Sequence, residues 1–448
     1  MAATLPISAA SAIGLLGLAV ACVTSDPRLE TAHVRAQIEG PTPPSTAAAR
    51  EAAPIEVPPG VRLDDGVTGE EAVSLALWNN TAFQEQLAAL GLSRADLAQA
   101  GMIANPTAAV LIPLGAKQLE YAATLPLEAL WIRPGRVAVA RLEGERAAER
   151  LVQTGLDLIR DVRAATAEVV ATRERAEIAR GLAAASDEIA EIAERRLEIG
   201  DASDTEAALA RVDAALARDE LRTARSEADA AQRRWESGIG FGDRERSVSL
   251  ATGELAERCG ERAELDALLE QALSARPDLR AARLGVQAAE ERAGLARAEI
   301  FAVSAILDAN GSGRDREMGP GLSLVLPILN QNQGGRVRAA AELARAEAGR
   351  RATEDRILLE VSDASARRDE AVERRRAWQG EIVAPLAAGL AVVEGQLAAG
   401  DVSPLAALQA RRTLELARLR EVELRALEAH ACAELERSVG LRFVGAPT

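Results

Sequence analysis

The sequence predicts a mainly α-helical chain with a small β part, built as an internal tandem repeat of about 200 residues. Three observations predict it. The phrases LEIGDASDTEAALAR at 197–211 and LAAGDVSPLAALQAR at 397–411 match in register, and the match continues through Leu216, Ala217, Arg218, Arg225, Glu236 and Gly240 to 416, 417, 418, 425, 436 and 440. A fixed self-similarity sets the architecture before any local reading. Ala, Leu, Glu and Arg dominate while aromatics make up only 2%, the mixture of long, closely packed helices. In each half one short stretch abandons the helical period for a strand-like one.

Residues 7–21, ISAASAIGLLGLAVA, form an apolar run too short for a confident membrane span and suited to the core of a signal peptide over 1–21. The following Ala19-Val20-Ala21-Cys22 resembles a bacterial lipobox, so Cys22 is a candidate for lipidation. Ala19 stands where Leu is usual, and Met1 to Ala10 carry no Lys or Arg. A plain signal peptide with an incidental cysteine is the alternative. Residues 22–62 are rich in Pro, Ala and charge and read as a lipid-anchored or flexible tether.

The first repeat spans 63–242. It opens with GEEAVSLALWNNTAF at 69–83, and an amphipathic helix follows from Gln84 to Ala100, stopped by Asn105-Pro106. A strand hairpin over 106–130 follows, PTAAVLIPL and LEYAATLPLEAL around GAKQ. A long helix then runs from about Arg136 to Ile199, with a seam at Leu151, Gly155, Leu158, Val162, Ala165, Val169, Thr172, Ala176 and Ala179. Those alternating spacings of four and three are heptad packing against another helix. Gly200 is the turn, because Gly adopts the left-handed conformation that ends a helix. Asp201 or Ser203 caps the returning helix, which reaches Trp235 and completes a helical hairpin over 136–235.

A linker at 243–262 leads to the second repeat at 263–443, before a tail at 444–448. The order recurs: ELDALLEQALSARPDL at 264–279, a helix from Arg280 to Glu299, a strand hairpin over 302–329 around GSGRDREM, and a helical hairpin over 336–437 turning at Gly400 with Asp401 or Ser403 as cap. Alternation such as Leu322-Ser323-Leu324 suits a wall with lipid on one side and water on the other, although only Tyr121, Trp131 and Phe301 bring aromatics near the strand ends.

Several functions are disfavoured. A net charge of −15 opposes nucleic-acid binding, which requires a basic face. His33 and His430 are the only histidines, and no phosphate loop, dinucleotide fingerprint or nucleophile elbow occurs, so neither enzymatic chemistry nor a cofactor is expected. Three Cys and three Met lack metal-ligand spacing. Cys259 and Cys432 either form a disulfide or stay as buried thiols.

From about residue 63 to 443 the sequence resembles the TolC family of outer-membrane efflux proteins. The resemblance rests on the paired ALWNNTAF and ALSARPDL openings, LPLEALWIRPGRV at 125–137 with LPILNQNQGGRV at 326–337, EIVAPLAAGL at 381–390, and the two glycine turns. LSLVLPILNQNQGG is most similar to the CzcC-like, cation-efflux branch. The resemblance implies a homotrimer in which four strands per chain build one 12-stranded barrel in the outer membrane of a Gram-negative bacterium. The helical hairpins would form a periplasmic tunnel. It implies a passive duct for substrate, a heavy-metal cation or a drug, delivered by an inner-membrane transporter of RND type through a periplasmic adaptor. It also makes Gly200, Asp201, Ala202, Gly400, Asp401 and Val402 the adaptor-docking tips. Family members constrict the periplasmic end with acidic residues after the second tip; Ala406 and Gln409 stand at those positions here, and Glu206 is acidic in the first half instead. A periplasmic adaptor, or a structural coiled-coil envelope protein, would share the signal and the long helices, but not the duplication with its two strand pairs.

Overall fold

The computed structural model describes residues 55–112, 120–242, 248–251, 263–310 and 317–440. The expected signal peptide, most of the expected tether with Cys22, the GAKQ and GSGRDR segments, Cys259 and the expected C-terminal tail lie outside the described residues. The first half contains α1 (Gly69–Asn79), α2 (Thr81–Gly101), β1 (Thr107–Leu111), β2 (Glu120–Pro126), α3 (Ala129–Glu198) and α4 (Asp204–Gly238). The second half contains α5 (Leu265–Ala275), α6 (Pro277–Ala298), β3 (Val303–Asn310), β4 (Glu317–Leu324), α7 (Gln333–Trp378), a π-helical turn (Gln379–Val383), α8 (Ala384–Ala399) and α9 (Pro404–Val439). The order of elements is the same in both halves.

The chain divides into two compact units. One, holding residues 90–148 and 284–345, contains the four strands. They form a single antiparallel sheet in the order β1-β2-β3-β4, so β1 and β4 are its edges. The strands are shorter than the sequence suggests. β2 stops at Pro126 rather than 130, because Leu130 N–H bonds Leu127 O at 3.0 Å and Trp131 N–H bonds Glu128 O at 3.2 Å, winding a first helical turn ahead of Pro134. The helix therefore starts at Ala129, seven residues before Arg136, and tolerates Pro134 in its second turn. β4 stops at Leu324 rather than 329, since Pro327 withdraws a ladder donor and the chain turns between Leu326 and Ile328.

The second unit, residues 34–89, 149–283 and 346–448, contains most of the long helices. The seam expected on α3 is buried at Leu151, Gly155, Val162, Val169, Thr172, Ala176 and Ala179, and continues through Ala183, Ser186, Ala190 and Ala193. Leu158 and Ala165 are only partly buried, while Val152, Ile159 and Ala171 form a second buried stripe beside the first. Two stripes mean two neighbours. Ala176 and Ala179 meet Ala224 of α4, while Ala171 meets Val422 and Ala426 of α9. Small residues at these contacts let the helix axes approach closely.

The helix breaks before α2 and α6 dock onto the returning helices. A core of Leu268, Ala272 and Leu279 packs against Ile357, Val361, Ala364, Leu435 and Val439. Burying such aliphatic side chains stabilises by about 1.5–3 kcal/mol each. Between Trp378 and Ala384 the helix opens into a π-helical turn. Pro385 follows at once; its ring would clash with the carbonyl four residues earlier in a regular helix, and the wider turn relieves that clash. The second long helix is thus three pieces, where the sequence reads as one. Cys432 is disulfide-bonded.

Candidate functional site

Antiparallel register places directly opposed residues on one face of a sheet. Along one line, Val110 opposes Tyr121, Tyr121 opposes Ala309, and Ala309 opposes Met318. The next lines on that face are Ala108, Ala123, Leu307 and Pro320, then Leu125, Ala305 and Leu322, and then Val303 and Leu324. No charge occurs there. The opposite face carries Leu111, Glu120, Asn310 and Glu317 on one line, Ala109, Ala122, Asp308 and Gly319 on another, and Thr107, Thr124, Ile306 and Gly321 on a third. The sheet is therefore apolar on one side and mostly polar on the other, the division that a barrel wall needs between hydrocarbon and an aqueous lumen. Sequence alternation showed this only at Leu322-Ser323-Leu324, because alanine blurs the pattern on β2 and β3. Register recovers it.

The apolar face is exposed, with Leu307, Met318, Leu322 and Leu324 open to solvent, and every residue of β1 and β4 is exposed. Both edges present unpaired main-chain groups, a template for another strand.

In the second unit, the two glycine turns are near copies. Gly200 has φ +77° and Gly400 φ +84°. Gly200 N–H bonds Leu197 O at 3.0 Å and Asp201 N–H bonds Arg196 O at 2.7 Å; Gly400 N–H bonds Leu397 O at 3.0 Å and Asp401 N–H bonds Gln396 O at 2.9 Å. Both pairs form the double closure that satisfies the last carbonyls of a helix. Ser203 Oγ accepts from Glu206 N–H at 3.1 Å and Ser403 Oγ from Ala406 N–H at 3.3 Å, so serine is the cap in each half and neither aspartate is. Gly200, Asp201, Gly400 and Asp401 are exposed, with Ala202 and Val402 partly covered.

The tips differ in charge. Arg196 donates to Asp201 Oδ2 at 2.9 Å, to Asp201 O at 3.0 Å and to Glu206 Oε1 at 3.0 Å. The hydrogen bond and the charge of Asp201, with Glu206 behind them, hold the guanidinium more firmly protonated than usual. The matching positions of the second tip are Gln396, Asp401 and Ala406, which cannot build that clamp. Arg196 escaped the sequence reading, although the contrast between Arg196 and Gln396, each just ahead of a matched phrase, was its signal.

A cavity of about 790 Å³ lies in the same unit. Its charges pair with one another: Arg425 with Glu174 at 2.5 Å, Arg375 with Glu428, and Arg163 with Glu436.

Residues 268–441 match the sequence profile of the outer membrane efflux protein family. Those residues carry an outer membrane efflux protein domain. The match covers the second half, and the first half repeats its elements in order. No curated protein matches the sequence. Among solved structures, a membrane protein from Pseudomonas aeruginosa is 19% identical with a TM-score of 0.70, covering 88% of this chain and 99% of that one. CusC is 17% identical with a TM-score of 0.68, covering 89% and 99%. VceC, an outer membrane protein from Vibrio cholerae, is 18% identical with a TM-score of 0.64, covering 84% and 96%. At these identities the structures establish the fold, and the profile match assigns residues 268–441 to an outer membrane efflux protein domain.

Proposed function

We propose that three copies of this efflux protein assemble into a passive duct, a 12-stranded barrel joined to a helical tunnel, in a tripartite efflux system. The observation that carries the reading is the two-faced sheet with both edges open. Among the described residues one copy contributes four strands, too few to enclose a lumen, and none of those residues covers the exposed apolar face. Cyclic closure by identical copies removes every edge at once. The helices support the same reading: Gln333–Ala399 contains an apolar stretch long enough to cross a membrane, none of it buried, as expected of a surface reserved for assembly.

The glycine tips are the proposed contacts for a periplasmic adaptor, with Gly200, Asp201, Ala202, Gly400, Asp401 and Val402 as docking residues. An inner-membrane transporter of RND type would load the duct. The likeness of LSLVLPILNQNQGG to the cation-efflux branch favours a heavy-metal cation over a drug as cargo, and cargo selection would rest with that transporter. Cys22 is the proposed lipid anchor. Membrane fractionation with native mass measurement tests the assembly: the protein sediments with outer membranes and leaves mild detergent as a trimer. A monomer in the soluble periplasmic fraction overturns the proposal.

A further inference from the structure

Past the end of β4 the chain exposes Val325, Leu326, Ile328 and Leu329, the last two at 74% and 91%. Before the start of β1 it exposes Met102 and Ile103. Both segments are anchored by polar groups that leave these side chains outward. Arg133 Nε donates to Gly101 O at 2.6 Å and Arg136 Nη2 to Met102 O at 3.0 Å. Val325 N–H bonds Ala302 O at 3.0 Å, and Asn332, at φ +56°, donates from Nδ2 to Ala296 O at 2.9 Å. An anchored apolar run open to water is a contact surface awaiting a partner.

Two occupants fit apolar chemistry, hydrocarbon and protein, and the backbone decides between them. Residues 325–332 are neither helix nor strand, contain Pro327 and turn through a narrow bond from Ile328 N–H to Leu326 O at 2.9 Å. Irregular main chain is not tolerated against lipid, because its polar groups find no partners there. Topology then points to the protein. β1 and β3 run one way, β2 and β4 the other, so β4 of one copy meets β1 of the next antiparallel. That closure sets the end of β4 beside the start of β1.

We infer that Val325–Leu329 of each copy seats on residues 102–110 of its neighbour, as an apolar clasp at the strand-to-helix junction. The inference rests on the trimer proposed above. Its own content is that this junction is sealed by side chains from two copies.

The test is photo-crosslinking in intact outer membranes, with p-benzoylphenylalanine placed at Ile328 or Leu329 of the full-length protein, and at Leu322 on the apolar face as a lipid-facing control. The expected result is an intermolecular adduct, mapped by peptide mass to residues 102–110, from positions 328 and 329 and not from 322. A Leu326→Ser/Leu329→Ser variant should lose heat-resistant trimer while still reaching the outer membrane. A trimer whose adducts at 328 and 329 lie on lipid, or within one chain, overturns the clasp and leaves the trimer standing. A species that is monomeric by mass overturns the assembly as well.

Discussion

Arg276 donates from Nη1 to the main-chain carbonyl of Ser438 at 3.1 Å, and a β-carbon on the neighbouring Gly440 would lie only 3.0 Å from Arg276 Cγ. The first half makes the same joint with different chemistry. Asn80 Nδ2 donates to Gly238 O at 2.9 Å, and a β-carbon on Gly240 would lie 2.5 Å from Asn79. Each joint ties a break between two short helices to the end of a returning helix. The first uses a neutral amide. The second uses an arginine that is 1% exposed, held by Asp278 and Glu360 at 2.7 Å each, with Arg437 bridging Asp157 and Glu360 beside it.

The two joints should therefore fail unequally. Arg276→Met takes one of two arginine partners from the half-buried Asp278 and Glu360, leaves the Ser438 carbonyl without its donor, and should cost about 2–4 kcal/mol. Asn80→Ala removes two neutral hydrogen bonds, the one donated to Gly238 O and the one accepted from Phe83 N–H, and should cost about 1–2 kcal/mol. Thermal unfolding of the purified protein in detergent compares them, and equal losses would contradict the assignment.

Acid should act through the second joint. Burial alone would raise the Asp278 pKa, but the hydrogen bond and charge of Arg276, with Arg356 behind them, bring it below its ordinary 3.8. A carboxylate depressed in the folded state contributes stability above its unfolded pKa and loses it as pH falls through the folded value. The unfolding temperature should therefore drop below about pH 4, and Asp278→Asn should flatten that drop. Unfolding scans at stepped pH give the slope.

The glycines separate by their surroundings. A side chain at Gly200 or Gly400 meets nothing within 4 Å, whereas one at Gly240 meets Asn79 main chain. Alanine at either tip should cost only the left-handed backbone strain, about 1 kcal/mol, while Gly240→Ala should reduce folded yield severely. Bulky acidic substitutions at both tips should abolish export with trimer yield unchanged. Normal export from that double variant would remove the tips from the docking surface.

On the sheet, Leu322→Arg should impair membrane insertion by about 2–4 kcal/mol, whereas Ser323→Arg, on the opposite face, should insert normally and alter conductance. Refolding into bilayers and single-channel recording measure the two effects.

The tandem order, both glycine turns and four strands in two hairpins were legible because each depends on local chemistry: a glycine after a helical run, a change of period, a phrase repeated in register. Strand ends at Pro126 and Leu324 were not, since Leu127–Leu130 and Val325–Leu329 are apolar enough to extend a strand and only main-chain bonding ends it. The second stripe on α3 escaped for a different reason. Ala171 becomes core only once α9 lies alongside, a contact remote in sequence. The two-faced sheet likewise needs cross-strand register, which no single strand contains.

The π-helical turn at Gln379–Val383 winds more slowly than the helices on either side of it, so the chain leaves it rotated relative to the course it held before. Ahead of that turn, Ile357, Val361, Ala364 and Ala371 repeat at heptad spacing and are fully enclosed by their own polypeptide. Beyond it, α8 has no buried residue. A single change of pitch thereby divides a stretch enclosed by its own polypeptide from one that rests on α9 and keeps every side chain at least partly open.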